Sequence, residues 1–593
     1  MDFLRSKEMF KRNVKCGEIS ENEIGKTVIV NGWIHRKRDL GGLLFIDLRD
    51  RSGIVQVVVD PKNISKEKSE EIQGLKNESV VGIEGKVKNR LEPNLNLPTG
   101  KFEILLQAFE IFSKSEDLPF NQFSSQEVDE TVRLKYRYLD LRRPEIRKVF
   151  ELRSRIIQAI RTFFINRDFI EIETPILTKS TPEGARDFIV PSRLNKGKFY
   201  ALPQSPQLFK QILMIGGFEK YFQIARCFRD EDLRQDRQPE FTQLDVEMSF
   251  IEQGDILKLM EEMYKDLFKE ILGVEIEIPF QRVSYVDAKK KFGSDKPDTR
   301  FGMEIKDLTD YFKETGIQII RDGMKNGKVV LALFLPGGAA LSRREVDDLK
   351  EQMTDFGLNG FIDFKIKKGE IISSFSKYLT EKEKSGILGT GQPDNLALIF
   401  VVNSKNGFDQ VGRVRILLAE KYNLVKKDKF NFIWVVDFPF FAYNEKEGRY
   451  EAEHHPFTMP KPEDLEKLET DKEHVKALAY DLVLNGNELG GGSIRIHNPE
   501  LQKRVFKAIG LSDVEVEQKF GFLVQALSFG APPHGGIAFG LDRLVWIMNG
   551  GTGSLRDVIA FPKTTSGICP LTEAPNEVSK KQLNDVGIKT ENG

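Results

Sequence analysis

The chain is poor in cysteine, histidine and tryptophan: its 593 residues hold three, six and three of them. Cys16, Cys227 and Cys569 lie far apart and form no Cys-x-x-Cys pair. The sequence therefore offers neither a disulfide framework nor a structural zinc site, and a reducing, cytoplasmic setting is expected. The adjacent His454-His455 lacks cysteine partners, so zinc is not expected there either. Charge of one sign is not in excess: 89 Lys+Arg against 90 Asp+Glu leave a net charge of -1. Any nucleic-acid contact must then come from local basic patches. No apolar run approaches the roughly 20 residues of a membrane span, and Met1 to Phe10 carries no signal-peptide core, so no membrane contact is expected.

The length suggests roughly four domain-sized units, and 40% hydrophobic residues can fill several cores. The first unit is expected over residues 1–112. Thr27–Ile34, Leu43–Leu48 and Ile54–Val59 read as strands, Ser65–Leu75 as a charged helix, and two further strands follow, which is the order of an OB-fold β-barrel. Alternation places Leu44, Ile46 and Leu48 inside and Phe45, Asp47 and Arg49 outside, with Gln56 opposite Val55 and Val57. The loop His35-Arg-Lys-Arg-Asp-Leu-Gly-Gly42 brings Arg36 and Arg38 beside Phe45, a combination suited to a phosphate backbone and a stacked base. Residues 113–140 are polar and proline-punctuated and read as a linker or hinge. From Pro144 to Asp168 apolar positions recur at helical spacing.

The most informative stretch is Phe241-Thr-Gln-Leu-Asp-Val-Glu-Met-Ser-Phe250. As a strand it buries Thr242, Leu244, Val246, Met248 and Phe250 on one face and sets Phe241, Gln243, Asp245 and Glu247 on the other. Tyr221 to Glu231 reads as its antiparallel partner, with Gln223, Arg229 and Glu231 on one side. In Ser205-Pro-Gln-Leu-Phe-Lys-Gln211, Ser205 is expected as N-cap and Pro206 as first helical residue, which puts Gln207 and Lys210 on one face. Glu488-Leu-Gly-Gly-Gly-Ser-Ile-Arg-Ile-His497 alternates again, with Arg495 beside Ser493 and His497, and its glycines let a ligand approach the backbone. A cation in the first turn of Leu541–Met548, Arg543, opposes the helix dipole and so points to an anionic ligand.

Taken together, Phe228-Arg-Asp-Glu231 with its loop and Phe241, Thr174-Pro175 after an amphipathic helix, Gly535-Gly-Ile-Ala-Phe-Gly-Leu-Asp-Arg543 and Gln204-Ser-Pro-Gln207 resemble the ordered motifs of class II aminoacyl-tRNA synthetases of the bacterial aspartyl type. The resemblance runs essentially end to end. It implies an α+β multidomain fold: an N-terminal OB-fold anticodon-binding barrel, a catalytic domain on an antiparallel sheet split over 141–305 and 407–593, and an inserted α/β domain over 306–406. It implies a cytoplasmic homodimer that ligates L-aspartate to tRNA(Asp) through an aspartyl-adenylate, with ATP as substrate and Mg2+ as cofactor, the helix and strand around Thr174-Pro175 forming the dimer contact.

The roles it implies are specific. Arg229, Glu231 and Arg543 are catalytic; Arg229, Asp230, Glu231, Gln238, Phe241, Glu488, Gly540, Leu541, Asp542 and Arg543 hold ATP, and Glu488 holds magnesium. Glu183, Ser205, Gln207, Leu208, Phe209, Lys210, Arg229, Asp245, His454 and Arg495 surround aspartate, with Arg495 as a bidentate reader of its side-chain carboxylate. Arg36, Arg38, Leu40, Phe45 and Gln56 meet the anticodon. Asparaginyl- and lysyl-type enzymes share the barrel and the three motifs; a lysine substrate would bring its ammonium against Lys210 and Arg495. A noncatalytic RNA-binding relative would be expected to lack an ATP-site group, whereas all are present. Enzymes of the type that charge both tRNA(Asp) and tRNA(Asn) often carry histidine before the Gly-Gly pair. Leu40 stands there, which implies a preference for tRNA(Asp), charging of both being the alternative.

Overall fold

A computed structural model describes residues 10–121, 123, 128–181, 184–233, 237–426, 428–445 and 447–589. The chain divides into two compact units between Val128 and Asp129. In the first, β1 (Thr27–Leu40), β2 (Leu43–Arg49), β3 (Ile54–Val59), β4 (Val80–Asn89) and β5 (Phe102–Ser113) close a barrel in the order β1-β2-β3-β5-β4, with α1 (Lys66–Gly74) between β3 and β4. β-branched and leucine side chains at alternate positions, among them Val30, Ile34, Ile46, Leu48, Val57, Ile83 and Ile104, fill it.

The basic segment expected as a loop is instead the end of β1 and a two-residue hairpin. Gly41 and Gly42, at φ 63° and 85°, supply the left-handed pair that such a tight turn requires. A register shift between Ile34 and Arg36 sets Arg36 opposite Asp47 and Arg38 opposite Phe45. Arg36 and the hairpin residue Leu40 are exposed and Phe45 is half-buried. Arg38 donates to Asp47 Oδ1 at 2.9 Å and lies 3.4 Å from Gln56 Oε1. Gln56 is buried rather than presented, its amide donating to Glu103 at 2.9 Å. Arg49 also differs from the alternation: it is buried, grips Glu78 through two hydrogen bonds of 2.9 and 2.8 Å, and lies over the Phe123 ring.

The second unit begins inside the stretch expected as a linker. Helices Glu130–Lys135 and Arg137–Asp140 are part of it, and the buried Arg137 donates to Asp140 and to the carbonyls of Ile559 and Ala560 at 3.0 and 2.9 Å. The unit is organised by one sheet. Its strands are β6 (Ile170–Glu171), β7 (Lys220–Phe228), β8 (Glu240–Ser249), β9 (Gln281–Ser284), β10 (Phe432–Val436), β11 (Ala479–Leu484), β12 (Asn487–Ile494) and β13 (His534–Gly540), ordered β9-β10-β11-β12-β13-β8-β7-β6. All neighbours are antiparallel except the two outer pairs, β9 with β10 and β6 with β7.

One face of this sheet carries the core. Leu244 and Val246 of β8, Trp434, Tyr480, Ile537 and Phe539 pack against α2 (Pro144–Ile165) and α3 (Gln253–Leu272), which contribute Ile156, Ile160, Phe164, Met260, Tyr264 and Phe268. Two strand readings stop short: β7 ends at Phe228, before Arg229 and Glu231, and β8 ends at Ser249, with Phe250 exposed at φ 60°. β6 likewise covers only Ile170–Glu171, leaving Pro175 in a loop.

A separate five-stranded sheet lies between β9 and β10 in the chain, in the order Lys306–Asp307, Lys328–Leu335, Leu396–Asn403, Ile362–Lys367, Glu370–Ile372. The helix Gly407–Lys421 buries Val411, Val414 and Leu418 against Leu331, Leu333, Leu398 and Phe400. The helix thus packs on this sheet beyond residue 406, while Arg415 on it also donates to the carbonyls of Asp298 and Met303 at 2.7 and 3.0 Å.

Replacing Glu78 with Gln turns an amide N–H2 toward the buried Arg49 guanidinium and leaves that charge uncompensated, a change worth about 3–5 kcal/mol. The barrel of the Glu78→Gln protein is expected to unfold at clearly lower denaturant, as read by the protease sensitivity of residues 27–113.

Candidate active site

The other face of the sheet is polar because alternation forces it to be. With Leu244 and Val246 turned into the core, Gln243, Asp245 and Glu247 point away from it, and all three are buried. The helix Gln207–Ile215 lies over this face and turns Gln207, Lys210, Gln211 and Met214 inward, the i, i+3, i+4, i+7 stripe of one helix side. Its start is one residue later than expected: Pro206 is the N-cap, while the Ser205 hydroxyl accepts from the Gln207 amide at 3.3 Å.

Four charges meet here in a dry environment. Lys210 Nζ is 3.1 Å from Asp245 and 3.5 Å from Glu247, and Arg495 holds Glu247 side-on at 2.9 and 3.2 Å. No side chain of the four is more than 1% exposed. The two carboxyls are pushed apart. Burial raises Asp245 above its ordinary value despite Lys210; burial pushes Glu247 up too, but Arg495 and then Lys210 outweigh it and hold it below. Asp245 Oδ2 is buried with no hydrogen-bond partner among the described residues, as an acceptor for a ligand ammonium would be. Glycine makes the cluster possible: a Cβ at Gly536 would lie 2.0 Å from Glu247 Oε2.

Arg495 departs from the expected bidentate reader. Nε and Nη2 are taken by Glu247, and Nη1 donates to Ser493 Oγ at 2.7 Å and His455 Nε2 at 2.8 Å. Of its five N–H donors one remains, so a ligand carboxylate gains one direct bond or displaces Ser493 or His455. Since arginine only donates, His455 Nε2 accepts from it, and the Phe457 amide donates to His455 Nδ1 at 3.3 Å, with Thr458 Oγ1 3.4 Å from the same nitrogen. Burial, then Arg495, push His455 well below its ordinary range, so this imidazole is neutral.

These groups line one end-to-end cavity of about 500 Å3, of a size suited to a small-molecule ligand. Ser205, Gln207, Lys210, Asp245, His454 and Arg495 border it, and so do Arg229, Glu231, Gln238, Phe241, Glu488, Gly540, Asp542 and Arg543. Arg229 lies over the Phe241 ring at 5.1 Å, and its buried Nε has no hydrogen-bond partner among the described residues. Glu231 is paired with Arg237 at 2.7 Å. Gln238 is pinned to the backbone of Lys563 by both amide atoms, at 3.1 and 2.9 Å. Arg543 Nη1 donates to the Glu488 carbonyl at 2.5 Å. On Glu488 burial is opposed by Lys296, 2.6 Å away, and by Arg543, and the carboxyl is held below its usual value.

Four expected contacts are placed elsewhere, and a fifth is committed to protein. Leu541 is in the sheet core and Leu208 in a cluster with Phe457, Phe506 and Phe520. Phe209 borders a separate small cavity beside Thr178 and Lys179, and Asp230 bridges to the backbone of Arg186. Asp542 reaches the cavity, but its oxygens are committed to Arg153 at 2.5 Å and the Thr242 amide at 2.9 Å, joining α2, β8 and the helix Leu541–Met548. Glu183 lies outside the described residues. Sequence reasoning missed His455, Ser493, Lys296 and Asp481 as site residues, and gave Glu247 no role. Alternation already placed Glu247 on the polar face, whereas Lys296 belongs to no patterned segment and Asp481 interrupts an apolar strand.

The sequence profile described as tRNA synthetases class II (D, K and N) matches residues 129–565, and that of an OB-fold nucleic acid binding domain matches 28–112. The chain is 51% identical over 583 residues to the aspartate–tRNA(Asp/Asn) ligase of Caldanaerobacter subterraneus subsp. tengcongensis and 48% identical over 582 to the aspartate–tRNA ligase of Clostridium kluyveri, covering 98% of each protein in both cases. Among solved structures it is similar to asparaginyl-tRNA synthetase from Pyrococcus horikoshii complexed with asparaginyl-adenylate, at TM-score 0.60 and 20% identity over 94% of this chain and 99% of that one. It is also similar to aspartyl-tRNA synthetase from Entamoeba histolytica, at TM-score 0.58 and 20% identity over 94% and 92%. At such identity these two likenesses concern the fold alone.

Replacing Asp542 with Asn puts a donor against the Thr242 amide or against Arg153, breaking a buried charged link between three elements. Asp542→Asn is expected to cost about 2–3 kcal/mol in the second unit, measured as a lowered denaturant midpoint.

Proposed function

The chain belongs to the class II tRNA synthetases of the D, K and N group, and from that premise we propose that it joins L-aspartate to tRNA(Asp) in two ATP-dependent steps. The observation that carries the reading is the pair of buried cations, Lys210 and Arg495, facing the same cavity as Arg229, Phe241 and Arg543. Two fixed positive charges suit the side-chain carboxylate of aspartate. The neutral amide of asparagine would leave them under-matched, a mismatch that can be worth roughly 10⁴-fold in discrimination. Asp245, with its unpartnered Oδ2, takes the α-ammonium, with Ser205 and Gln207 alongside.

In the first step an α-carboxylate oxygen attacks the α-phosphorus of ATP, forming the mixed anhydride, and the bond to the β-phosphate oxygen breaks to release pyrophosphate. No enzyme nucleophile is involved. Arg229 bridges carboxylate and α-phosphate, Phe241 stacks on adenine, and Arg543 meets the γ-phosphate, so that catalysis rests on alignment and on charge neutralisation. Glu231 and Gln238 complete the ATP contacts. In the second step a ribose hydroxyl of the tRNA terminus attacks the acyl carbon and AMP leaves.

Mg2+ fits the donor set. Glu488 and Asp481 both border the cavity, and burial, with the Glu488 charge, raises Asp481, as in a carboxylate pair that a cation would relieve. These two residues would hold it, and it would neutralise phosphate charge. We place the tRNA anticodon on the barrel face of Arg36, Leu40 and Phe45, and a second copy of the chain at the β6 edge, where Ile165, Ile170, Ile176 and Leu177 are exposed.

The reading is tested by ATP–pyrophosphate exchange with each amino acid. Exchange driven by aspartate is expected, and Arg543→Ala should reduce it by about 10²-fold or more with the melting curve unchanged, because Arg543 lies off the apolar stripe of its helix. Aspartate-independent exchange, or wild-type exchange by the variant, refutes it. The relatives include ligases named for tRNA(Asp) alone and for tRNA(Asp/Asn). Leu40, exposed at the hairpin, cannot hydrogen-bond a base edge, which favours tRNA(Asp) alone. Aspartylation of tRNA(Asn) transcripts is therefore expected to be weak in the wild type and to rise in Leu40→His; equal charging of both tRNAs by the wild type decides for the dual enzyme.

A further inference from the structure

Glu247 touches neither end of the ligand reading above, yet among the described residues it is the one in contact with both substrate-facing cations. Its Oε1 and Oε2 accept from Arg495 Nε and Nη2 at 2.9 and 3.2 Å, and Oε2 lies 3.5 Å from Lys210 Nζ. It is fully buried, its register on β8 is fixed between Tyr221 and Gly536, and Gly536 gives it room. Packing therefore leaves its carboxylate no alternative position.

Charge bookkeeping gives this contact a purpose. Lys210 and Arg495 contribute two positive charges. Asp245 and Glu247 contribute two negative ones, and His455, the fourth acceptor on Arg495, adds none because it is neutral. Once the α-ammonium of the amino acid engages Asp245, the groups left for its side chain are two cations less one carboxylate, a single net positive charge. That balances the single negative charge of an aspartate side chain and leaves one positive charge unmatched by asparagine. Geometry points the same way. The side-on grip on Nε and Nη2 fixes the guanidinium plane, so the remaining Nη2 N–H has one direction.

We propose that Glu247 is a positioning and specificity-determining residue for the amino-acid substrate, holding Arg495 away from Asp245 and setting the side-chain subsite to one net positive charge. Without its charge, the nearest buried anion for both cations is Asp245, already 3.1 Å from Lys210. Arg495 would then join Lys210 on Asp245, removing the ammonium acceptor and the carboxylate readers together. A residue that merely neutralised the pocket would act oppositely: its removal would leave excess positive charge and bind aspartate more tightly.

The inference rests on the aspartate reading, and wild-type exchange separates the two: if the full-length protein shows no aspartate-driven exchange, it is that reading which fails. Given wild-type activity, Glu247→Gln is compared by ATP–pyrophosphate exchange with aspartate and with asparagine. The expected result is an aspartate KM raised about tenfold or more and an aspartate-over-asparagine ratio of kcat/KM lowered by about tenfold or more, with the ATP KM within about twofold. An aspartate KM that is unchanged or lowered, with or without a reduced Tm, overturns the proposal. If Glu247→Gln does not accumulate as folded protein, Glu247→Asp retains the charge but withdraws it by one methylene. Its aspartate KM is expected to rise about threefold or more, and a wild-type KM in that variant overturns the proposal equally.

Discussion

The catalytic sheet is constrained by one requirement: two cations and two carboxylates must be held in a dry interior without leaving any of them unmatched. Burying a single unpaired charge costs far more than a typical domain can spare, so Lys210, Asp245, Glu247 and Arg495 are tenable only as a set. They come from three separate parts of the chain, the helix Gln207–Ile215, β8 and the residue that follows β12, and the register of β12, β13 and β8 is what brings them together. The glycine opposite Glu247 follows from the same demand, since any side chain at 536 would occupy the place of its carboxylate. The apolar side of β8 supplies the rigidity: Leu244 and Val246, locked against α2 and α3, determine where Asp245 and Glu247 stand.

The set is balanced yet not equivalent in its parts. Glu247 is satisfied by the protein on both oxygens, while Asp245 keeps one oxygen without a partner among the described residues and its carboxyl is pushed up. A buried pair whose members are pushed in opposite directions separates a structural charge from one that ligand can use. The same division runs through the rest of the cavity wall. Asp542 and Gln238 spend their polar atoms on protein, and Arg229 retains a buried Nε with no partner among the described residues. Motif membership does not distinguish these cases, because it records which residues sit together and not where each hydrogen bond goes.

Much of this architecture was legible in the chain itself. The alternation of β8, the shared helix face of Gln207 and Lys210, and the apolar stripe of Leu541–Met548 follow from side-chain periodicity, which depends only on local backbone geometry. The barrel order was equally readable from short alternating runs and turn residues. Boundaries were not. Residues 130–140 look like linker because they are polar, and become helix because Arg137 finds carbonyl partners more than 400 positions later. The helix Gly407–Lys421 has an apolar face whose destination, the inserted sheet, cannot be inferred from that face.

By itself, then, the sequence determined which residue types alternate, where the cations and carboxylates lie along each element, and the family to which their order belongs. Tertiary structure decided which of them remain available to a ligand. Arg495 reads from sequence as an open fork and is in fact four-fifths occupied; Gln56 reads as outward and is buried; Lys296 and Asp481 carry no local signal and enter the site through folding alone. The physical reason is range. Periodicity and turn chemistry act over a few residues, whereas desolvation, hydrogen-bond saturation and charge matching are properties of a place in space, shared by groups hundreds of residues apart.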